Sequence, residues 1–531
     1  MKRIIGFLLA VVSVLVSCSQ KEIVPSGEEK PRPSLKSISV EQSNLVLSEN
    51  GSASVDFSVK DPGFVFSRVI LTLPDGSQPS DFSISRVDAT AVHGQYVAMI
   101  TDRGLSAEYL FIVRITIVQE NPDTGVQSFI SSNSFIVRSE ARKESWQKTG
   151  LPVMYVNTDD GKSITSKTQY VNGSVSIDGT ETLPGLPEAT CRIRGRGNTT
   201  WSWPKKPYLI AFDEQQSLFG LPRHKRWVLL ANFMDRTLMR NLISMKVSSM
   251  TSLAWTPHCV PVELVLNGKH QGSYLLIEQV RVDKDRVKIS KEEGYLFELD
   301  FHMDNPVQWV DPHGSCWGIS GGIPFSVKYP DSDEITPAQK AYARNYISEV
   351  ATAIYGEDYA DPEKGYAKYL DVDSFIDYWI VFEVMTNHEL SNPGSVFFHK
   401  DGDGKLTAGP CWDFDWGVLS FYTSNGEYGL VNGKAIWYER LFRDPAFKAR
   451  VKARFEELLP QLETIPDYME ACRSLLAESA KLNFKMWNPA EDRSMNGGKI
   501  INGDENLSFD QAVDRLKNNY TKHLSVIREK L

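Results

Sequence analysis

The sequence predicts an α+β protein in two parts, a small all-β sandwich over residues 36–140 and a larger mixed domain over residues 150–531. Three observations carry this. From Lys36 onward, short runs rich in β-branched and aromatic residues recur between turn-forming clusters such as Pro74-Asp75-Gly76. A polar, charged link from Ser139 to Lys148 then interrupts the pattern. Beyond it, strand-like runs give way to helical ones, and from Ala435 to the end the chain reads as mainly helical. A length of 531 residues is ample for two domains, and no internal repeat is present.

In the first part, Ser37–Glu41, Leu45–Leu47, Ala53–Val59, Arg68–Leu73, Tyr96–Ile100, Tyr109–Val118 and Ser134–Arg138 read as strands. Glu49-Asn50-Gly51 and Asp61-Pro62-Gly63 supply further turns. About seven short strands in roughly a hundred residues fit an immunoglobulin-like sandwich. No chemical cluster lies in it, so its expected role is a stalk.

In the second part, Val153–Val156, Gln169–Val171, Cys191–Arg194, Tyr208–Phe212 and Trp227–Leu230 predict strands. Asp235 predicts the cap of a helix with Leu238, Leu242 and Met245 at helical spacing. Val262–Leu266 and Gly272–Glu278, joined through Asn267-Gly268, predict a hairpin. Helices are expected over Thr336–Ala353 and Ser374–Glu389, the second with Phe375, Tyr378, Trp379 and Phe382 on one face. Ser395–Lys400 and Lys405–Ala408 predict another hairpin around Asp401-Gly402-Asp403-Gly404. That turn has the start of a calcium loop but lacks its later acidic ligands.

The N-terminus carries Lys2 and Arg3, an apolar run from Ile4 to Val16, then Ser17 and Cys18. The run is shorter than the roughly 20 residues a spanning helix needs, so residues 1–17 read as a secretory signal. Leu15-Val16-Ser17-Cys18 is similar to a bacterial lipobox, which predicts cleavage before Cys18, its acylation, and a flexible tether over residues 18–35. Ser19 after the cysteine fits outer-membrane sorting in a Gram-negative envelope, facing either the periplasm or the outside. The other cysteines, Cys191, Cys259, Cys316, Cys411 and Cys472, are scattered without a CxxC pair, against a disulfide framework or zinc site. A net charge of −9 argues against a nucleic-acid partner.

Chemistry concentrates in the second part. Asp413 and Asp415 alternate in Trp412-Asp-Phe-Asp-Trp416, so on an extended segment both carboxylates face one side and can share a hard cation; the plain alternative is two acids capping a strand end. Glu389, expected at the end of the Ser374–Glu389 helix, is a candidate base or hydroxyl positioner, with Asn392 close behind and His388 read as a hydrogen-bonding loop residue. Arg194 and Arg196 project on one face if their strand continues, while Gly195 and Gly197 permit close backbone approach to phosphate. Of Lys205 and Lys206 only one can point inward, and Lys206 is assigned, with Glu278 to orient it. For all these charges the plain alternative is surface ion pairing.

The segment Cys191-Arg-Ile-Arg-Gly-Arg-Gly-Asn-Thr-Thr-Trp201, the Trp203-Pro-Lys-Lys-Pro-Tyr208 run, Ala231–Asn241 with Asp235, Arg240 and Asn241, and Gly409–Gly417 together resemble the spore coat protein H kinase family from about Leu151 to the last helices. The resemblance implies an atypical protein-kinase-like fold that binds ATP with Mg2+ or Mn2+ without a glycine-rich loop or His-Arg-Asp triplet. It implies Asp413 as metal ligand and catalytic residue, Asp415 and Asn392 as further metal ligands, and Glu389 as the catalytic group that orients the acceptor. Arg194, Arg196, Lys206 and Glu278 fall on the nucleotide-binding side, and Arg240 and Asn241 brace the site. The family loop carries an aspartate and a downstream asparagine. Glu389 and Asn392 are the nearest matches, and Asn387 is an alternative to Glu389. The implied partners are ATP and an unidentified protein or glycan acceptor; the competing reading is a surface adhesion or assembly protein on the same scaffold.

Overall fold

The computed structural model describes residues 37–48, 51–60, 67–102, 109–121, 123–139, 144–420, 429–489 and 502–531. The expected signal, Cys18 and the tether lie outside the described residues. The chain divides into two compact units, Met1–Arg142 and Lys143–Leu531.

The first unit is all-β, with nine strands among its described residues: β1 (Ser37–Val40), β2 (Asn44–Leu47), β3 (Ser52–Lys60), β4 (Arg68–Thr72), β5 (Phe82–Ala89), β6 (Gln95–Asp102), β7 (Tyr109–Glu120), β8 (Gln127–Ser131) and β9 (Phe135–Ser139). One sheet runs β1-β3-β6-β5 and the other β2-β9-β7-β4, with β8 added on β7. Both sheets contribute to one apolar core, Val55, Phe57 and Ile100 from the first meeting Ile115, Phe135 and Val137 from the second. The period of two that drives this is plain in β3, which buries Val55 and Phe57 and exposes Ser54 and Asp56. Strands β5 and β8 escaped the sequence reading because β5 buries only Phe82 and β8 buries no side chain.

The second unit opens with β10 (Val153–Thr158), β11 (Val171–Asp178), β12 (Leu186–Gly195), β13 (Tyr208–Gln216), β14 (His224–Leu230), β15 (Cys259–Leu266) and β16 (Lys269–Glu278). These close into a barrel in the order β10-β11-β12-β13-β14-β16-β15, and parallel pairing of β10 with β15 makes the closure. Met154, Ile193, Ile210, Trp227, Val262 and Tyr274 fill it. The β15–β16 hairpin turns at Asn267 (φ 49°) and Gly268 (φ 75°), the two positive values that a tight two-residue turn requires.

A second sheet follows, from β17 (Tyr295–Leu299), β18 (Gln308–Asp311), β19 (Ile323–Tyr329), β20 (Val396–Lys400) and β21 (Thr407–Ala408), in the order β18-β19-β17-β20-β21. The helices are α1 (Thr199–Ser202), α2 (Arg240–Ser248), α3 (Pro337–Tyr355), α4 (Tyr366–Tyr369), α5 (Val372–Val384), α6 (Tyr438–Leu441), α7 (Pro445–Leu462), α8 (Ile465–Met486) and α9 (Phe509–Lys530). Thr336 caps α3 through a reciprocal bond pair with Gln339, and Asp371 caps α5. Among the described residues no helix is long and apolar enough to cross a membrane, and the five described cysteines are free thiols.

Three expectations need correction. Helix α5 is buried at every position but Asp373 rather than on one face, because the sheet and α2, α7 and α9 pack around it. It ends at Val384, and Thr386 at φ 52° leaves helical space, so Glu389 stands beyond the helix in a single 3₁₀ turn, His388–Leu390. Helix α2 begins at Arg240; Leu238, at φ 56°, precedes it. Asp235 still serves that helix end, since its carboxylate accepts from the Arg240 backbone N–H at 2.9 Å and the Thr237 N–H at 2.9 Å.

Candidate functional site

A cavity of about 460 Å³ opens in the second unit, and six of the sequence-predicted residues line it: Arg194, Arg196, Glu389, Asn392, Asp413 and Asp415. The barrel supplies two arginines. Strand β12 ends at Gly195, and Arg194 and Arg196 flank that end. Gly195 is a glycine for packing rather than for phosphate approach, since a Cβ there would sit 2.3 Å from the Trp201 ring. Gly197, at φ +85°, turns the chain tightly, and a Cβ would meet Thr200 Oγ1 at 2.0 Å. Arg194 donates to the carbonyls of Lys167 and Gly195 and lies over the Tyr170 ring. Arg196 lies over the Trp412 ring at 5.5 Å, and burial pulls its pKa down against the opposing attraction of Asp413 and Asp415.

The acidic wall is not the extended strand expected. Asp413 has φ 64°, and no strand includes it, so the shared orientation of Asp413 and Asp415 comes from the loop around them. Asn241 Oδ1 accepts from the Phe414 N–H at 2.8 Å, Asn387 Nδ2 donates to the Asp413 carbonyl at 3.3 Å, and Asn502 Nδ2 donates to the Asp415 carbonyl at 3.1 Å. Arg240, fully buried, donates to the Val418 carbonyl at 2.8 Å and pairs with Asp235 and with Asp504, the latter at 2.8 Å. Arg240 and Asn241 thus hold the loop from behind. Asn502 and Asp504 were missed, because they lie some ninety residues further along the chain in an unremarkable Asn-Gly-Asp stretch.

Burial raises the pKa of both aspartates. For Asp415 burial and the neighbouring Asp413 carry it to about 8, while Arg196 and a hydrogen bond from Ser395 restrain Asp413. Glu389 is pushed well above the carboxylate range by burial, then by Asp413, Asp415 and Asp300. Its Oε2 and Asn392 Oδ1 are both buried without a hydrogen-bond partner among the described residues. His388 lines the cavity too; its carbonyl accepts from the Ser391 N–H at 2.9 Å and the Asn392 N–H at 3.2 Å within the loop, its Nδ1 has no partner among the described residues, and burial lowers its pKa.

Lys206 and Glu278 are not in the cavity. Lys206 Nζ donates to the Trp201 carbonyl at 2.8 Å, beside that indole. Glu278 is buried elsewhere, accepting from the His258 N–H at 3.0 Å, with Arg286 at 3.6 Å. Lys205 turns into the protein toward the Ser273 carbonyl and Asn483 Oδ1, and burial lowers its pKa to about 7 against the attraction of Glu263. Two other lysines line the cavity: Lys167, whose Nζ donates to Asn198 Oδ1 at 3.2 Å, and Lys328 on β19, paired at 2.8 Å with Glu298 on β17, with Asp300 and Asp304 close by. Burial opposes the Lys328 charge, and those three carboxylates more than offset it. Sequence reading missed this pair because β17, β18 and β19 were not recognised as strands, although Tyr295-Leu-Phe-Glu-Leu299 carries a β-forming run.

Among the described residues no three His, Cys, Asp or Glu side chains converge on one point as a complete metal cage. Two buried, neighbouring carboxylates and an orphaned amide oxygen do fit a magnesium-type ion, which takes one or two protein carboxylates and completes its shell from water and substrate phosphates.

The family model for CotH kinase proteins matches residues 193–527, well over half of the chain. The chain belongs to the CotH kinase family. The matched span starts within β12, just before Arg194 and Arg196, and runs into α9, so it takes in every residue lining the cavity of this CotH domain except Lys167. No curated protein matches the chain.

Proposed function

We propose that the second unit is an atypical kinase-like enzyme that transfers the terminal phosphoryl group of ATP to a hydroxyl acceptor. The observation that carries this is the assembly, in one cavity, of Arg194, Arg196 and Lys328 with Asp413, Asp415, Asn392 and Glu389. Asp413 and Asp415, with Asn392, would hold a divalent cation, which would supply positive charge to offset that of the phosphates. Arg194 and Arg196 donate to phosphate oxygens, taking over from the carbonyl contacts of Arg194. Glu389 Oε2, without a hydrogen-bond partner among the described residues, accepts the hydrogen bond of the attacking hydroxyl and aims it. Positioning and electrostatics are the contributions such a transfer needs from a protein.

Membership in the CotH kinase family supports the fold part of this reading. For the first unit we propose an immunoglobulin-like sandwich; its two sheets have the β1-β3-β6-β5 and β2-β9-β7-β4 orders that such a fold takes once an edge strand switches sheets. We also propose that acylation at Cys18 anchors the protein at the cell envelope, in the outer membrane of a Gram-negative cell.

Calorimetry of ATP binding with and without Mg2+ or Mn2+, beside Asp413→Ala, tests the enzyme reading. Metal-dependent binding that the variant loses is expected. No binding at millimolar ATP would overturn it and leave a binding scaffold.

A further inference from the structure

We propose, building on the kinase reading above, that the acceptor is a carbohydrate, its ring stacked on Trp317 at the cavity mouth and its hydroxyl directed at Glu389. Trp317 is 76% exposed and Trp416 38%, and both line the cavity. An indole has a large apolar face that normally drives its burial, so two exposed at one opening need a reason. Elsewhere around the site the indoles are covered: Arg196 lies over Trp412 and Lys206 over Trp201. Trp317 and Trp416 have neither a ring nor a cation against them among the described residues.

The platform is tied to the catalytic loop. The Trp317 N–H donates to the Ser391 carbonyl at 2.7 Å, and the Phe301 N–H donates to the Pro393 carbonyl at 2.7 Å. Gly318, at φ +91°, brings the loop so close that a Cβ would lie 2.9 Å from Asn392 Oδ1. A Cβ on Gly394 would lie 3.6 Å from the Phe301 ring and 3.7 Å from Glu389 Oε1, which places the aromatic ring and the carboxylate side by side. The backbone of Trp317 is thus fastened to the loop that carries Glu389.

The polar atoms at the mouth are acceptors in want of donors. Among the described residues Glu389 Oε2 and Asn392 Oδ1 have no hydrogen-bond partner, and Asp300 and Asp304 add carboxylate oxygens on the same wall. A sugar ring offers several O–H donors at fixed spacing around an apolar C–H face, which matches both halves of the mouth. In the step itself the sugar oxygen forms a bond to the γ-phosphorus, the bond from that phosphorus to the β,γ-bridging oxygen breaks with its electron pair leaving on ADP, and the hydroxyl proton, aimed by its hydrogen bond to Glu389, passes to an oxygen of the transferred phosphoryl group.

The test uses the full chain in detergent with a fixed panel: dextran, mannan, xylan and N-acetylglucosamine oligomers, a neutral Ser-rich peptide and a Lys/Ser peptide. Binding is first measured by calorimetry without nucleotide, so that it is independent of the kinase reading. At least one glycan is expected to bind, Trp317→Ala to weaken it tenfold or more, and Trp317→Phe to restore most of the loss. Asp304→Asn, a change of charge on the same wall, is expected to weaken it severalfold. Binding of peptides alone, of no panel member, or of glycans equally by Trp317→Ala overturns the proposal. Transfer of label from γ-labelled ATP to the bound glycan is then scored separately; glycan binding without transfer would count against the kinase reading alone.

Discussion

Three lysines in the second unit occupy two regions with opposite outcomes. On the barrel, Lys205 and Lys206 are committed to the protein's own carbonyls, at Ser273 and Trp201. On the five-stranded sheet, Lys328 is paired with Glu298 at 2.8 Å yet keeps 40% of its side chain open. A lysine has three donors. Where backbone carbonyls take them the charge is structural, and where a carboxylate holds the ammonium beside open space some remain for a ligand. The difference teaches that the partners of a cation, more than its place in a motif, decide whether it can bind phosphate.

The sharpest way to break this comparison is Lys328→Met. Removing a preorganised donor from a water-poor site costs roughly 10²–10³ in turnover where the donor meets developing charge. A loss of that size in kcat/KM for phosphoryl transfer is expected, with the fold intact because the side chain is partly exposed. A loss below threefold in steady-state kinetics would return Lys328 to a plain strand-to-strand ion pair.

Lys205 sharpens it from the other side. Burial lowers its pKa from 10.5 to about 7 in the folded protein. Between those values the unfolded chain binds a proton that the folded one does not, so stability rises with pH from about 7 to 10.5. The limiting slope is one proton, about 1.4 kcal/mol per pH unit. Below pH 7 both states are protonated and the slope vanishes. Urea unfolding of the wild type and Lys205→Met across pH 6–10 should show the difference between them moving in favour of the wild type as pH rises. A flat difference would mean that Ser273 and Asn483 solvate the ammonium well enough to keep it charged.

These contrasts explain what the sequence could disclose. Where a pattern is local it could be read: the Asn267-Gly268 turn, the helix that starts after Thr336 and the alternation in β3 each follow from residues within one element. Arg194, Arg196, Asp413 and Asp415 were visible because each motif is contiguous, although Asp413 reaches the cavity through a positive φ rather than through a strand. Glu298 and Lys328 were not visible, because they meet only when β17 and β19 pair across roughly thirty residues that carry no motif. Asp504 reaches Arg240 across 264 residues, a contact that no spacing rule encodes.

The smallest effect is the most telling for the region first singled out. Lys206 is half-buried, with one bond to the Trp201 carbonyl and its ammonium 5.4 Å from the indole centroid. Partly exposed interactions of this kind contribute about 0–1 kcal/mol. Lys206→Met keeps most of the aliphatic stem against Trp201, so a stability loss under about 1 kcal/mol is expected, with ATP affinity within twofold of the wild type. If calorimetry instead showed a tenfold or greater loss of ATP affinity, Lys206 would have to leave the Trp201 carbonyl when nucleotide enters. The barrel rim would then move on binding, and the division between structural and ligand-facing lysines would hold only for the empty site.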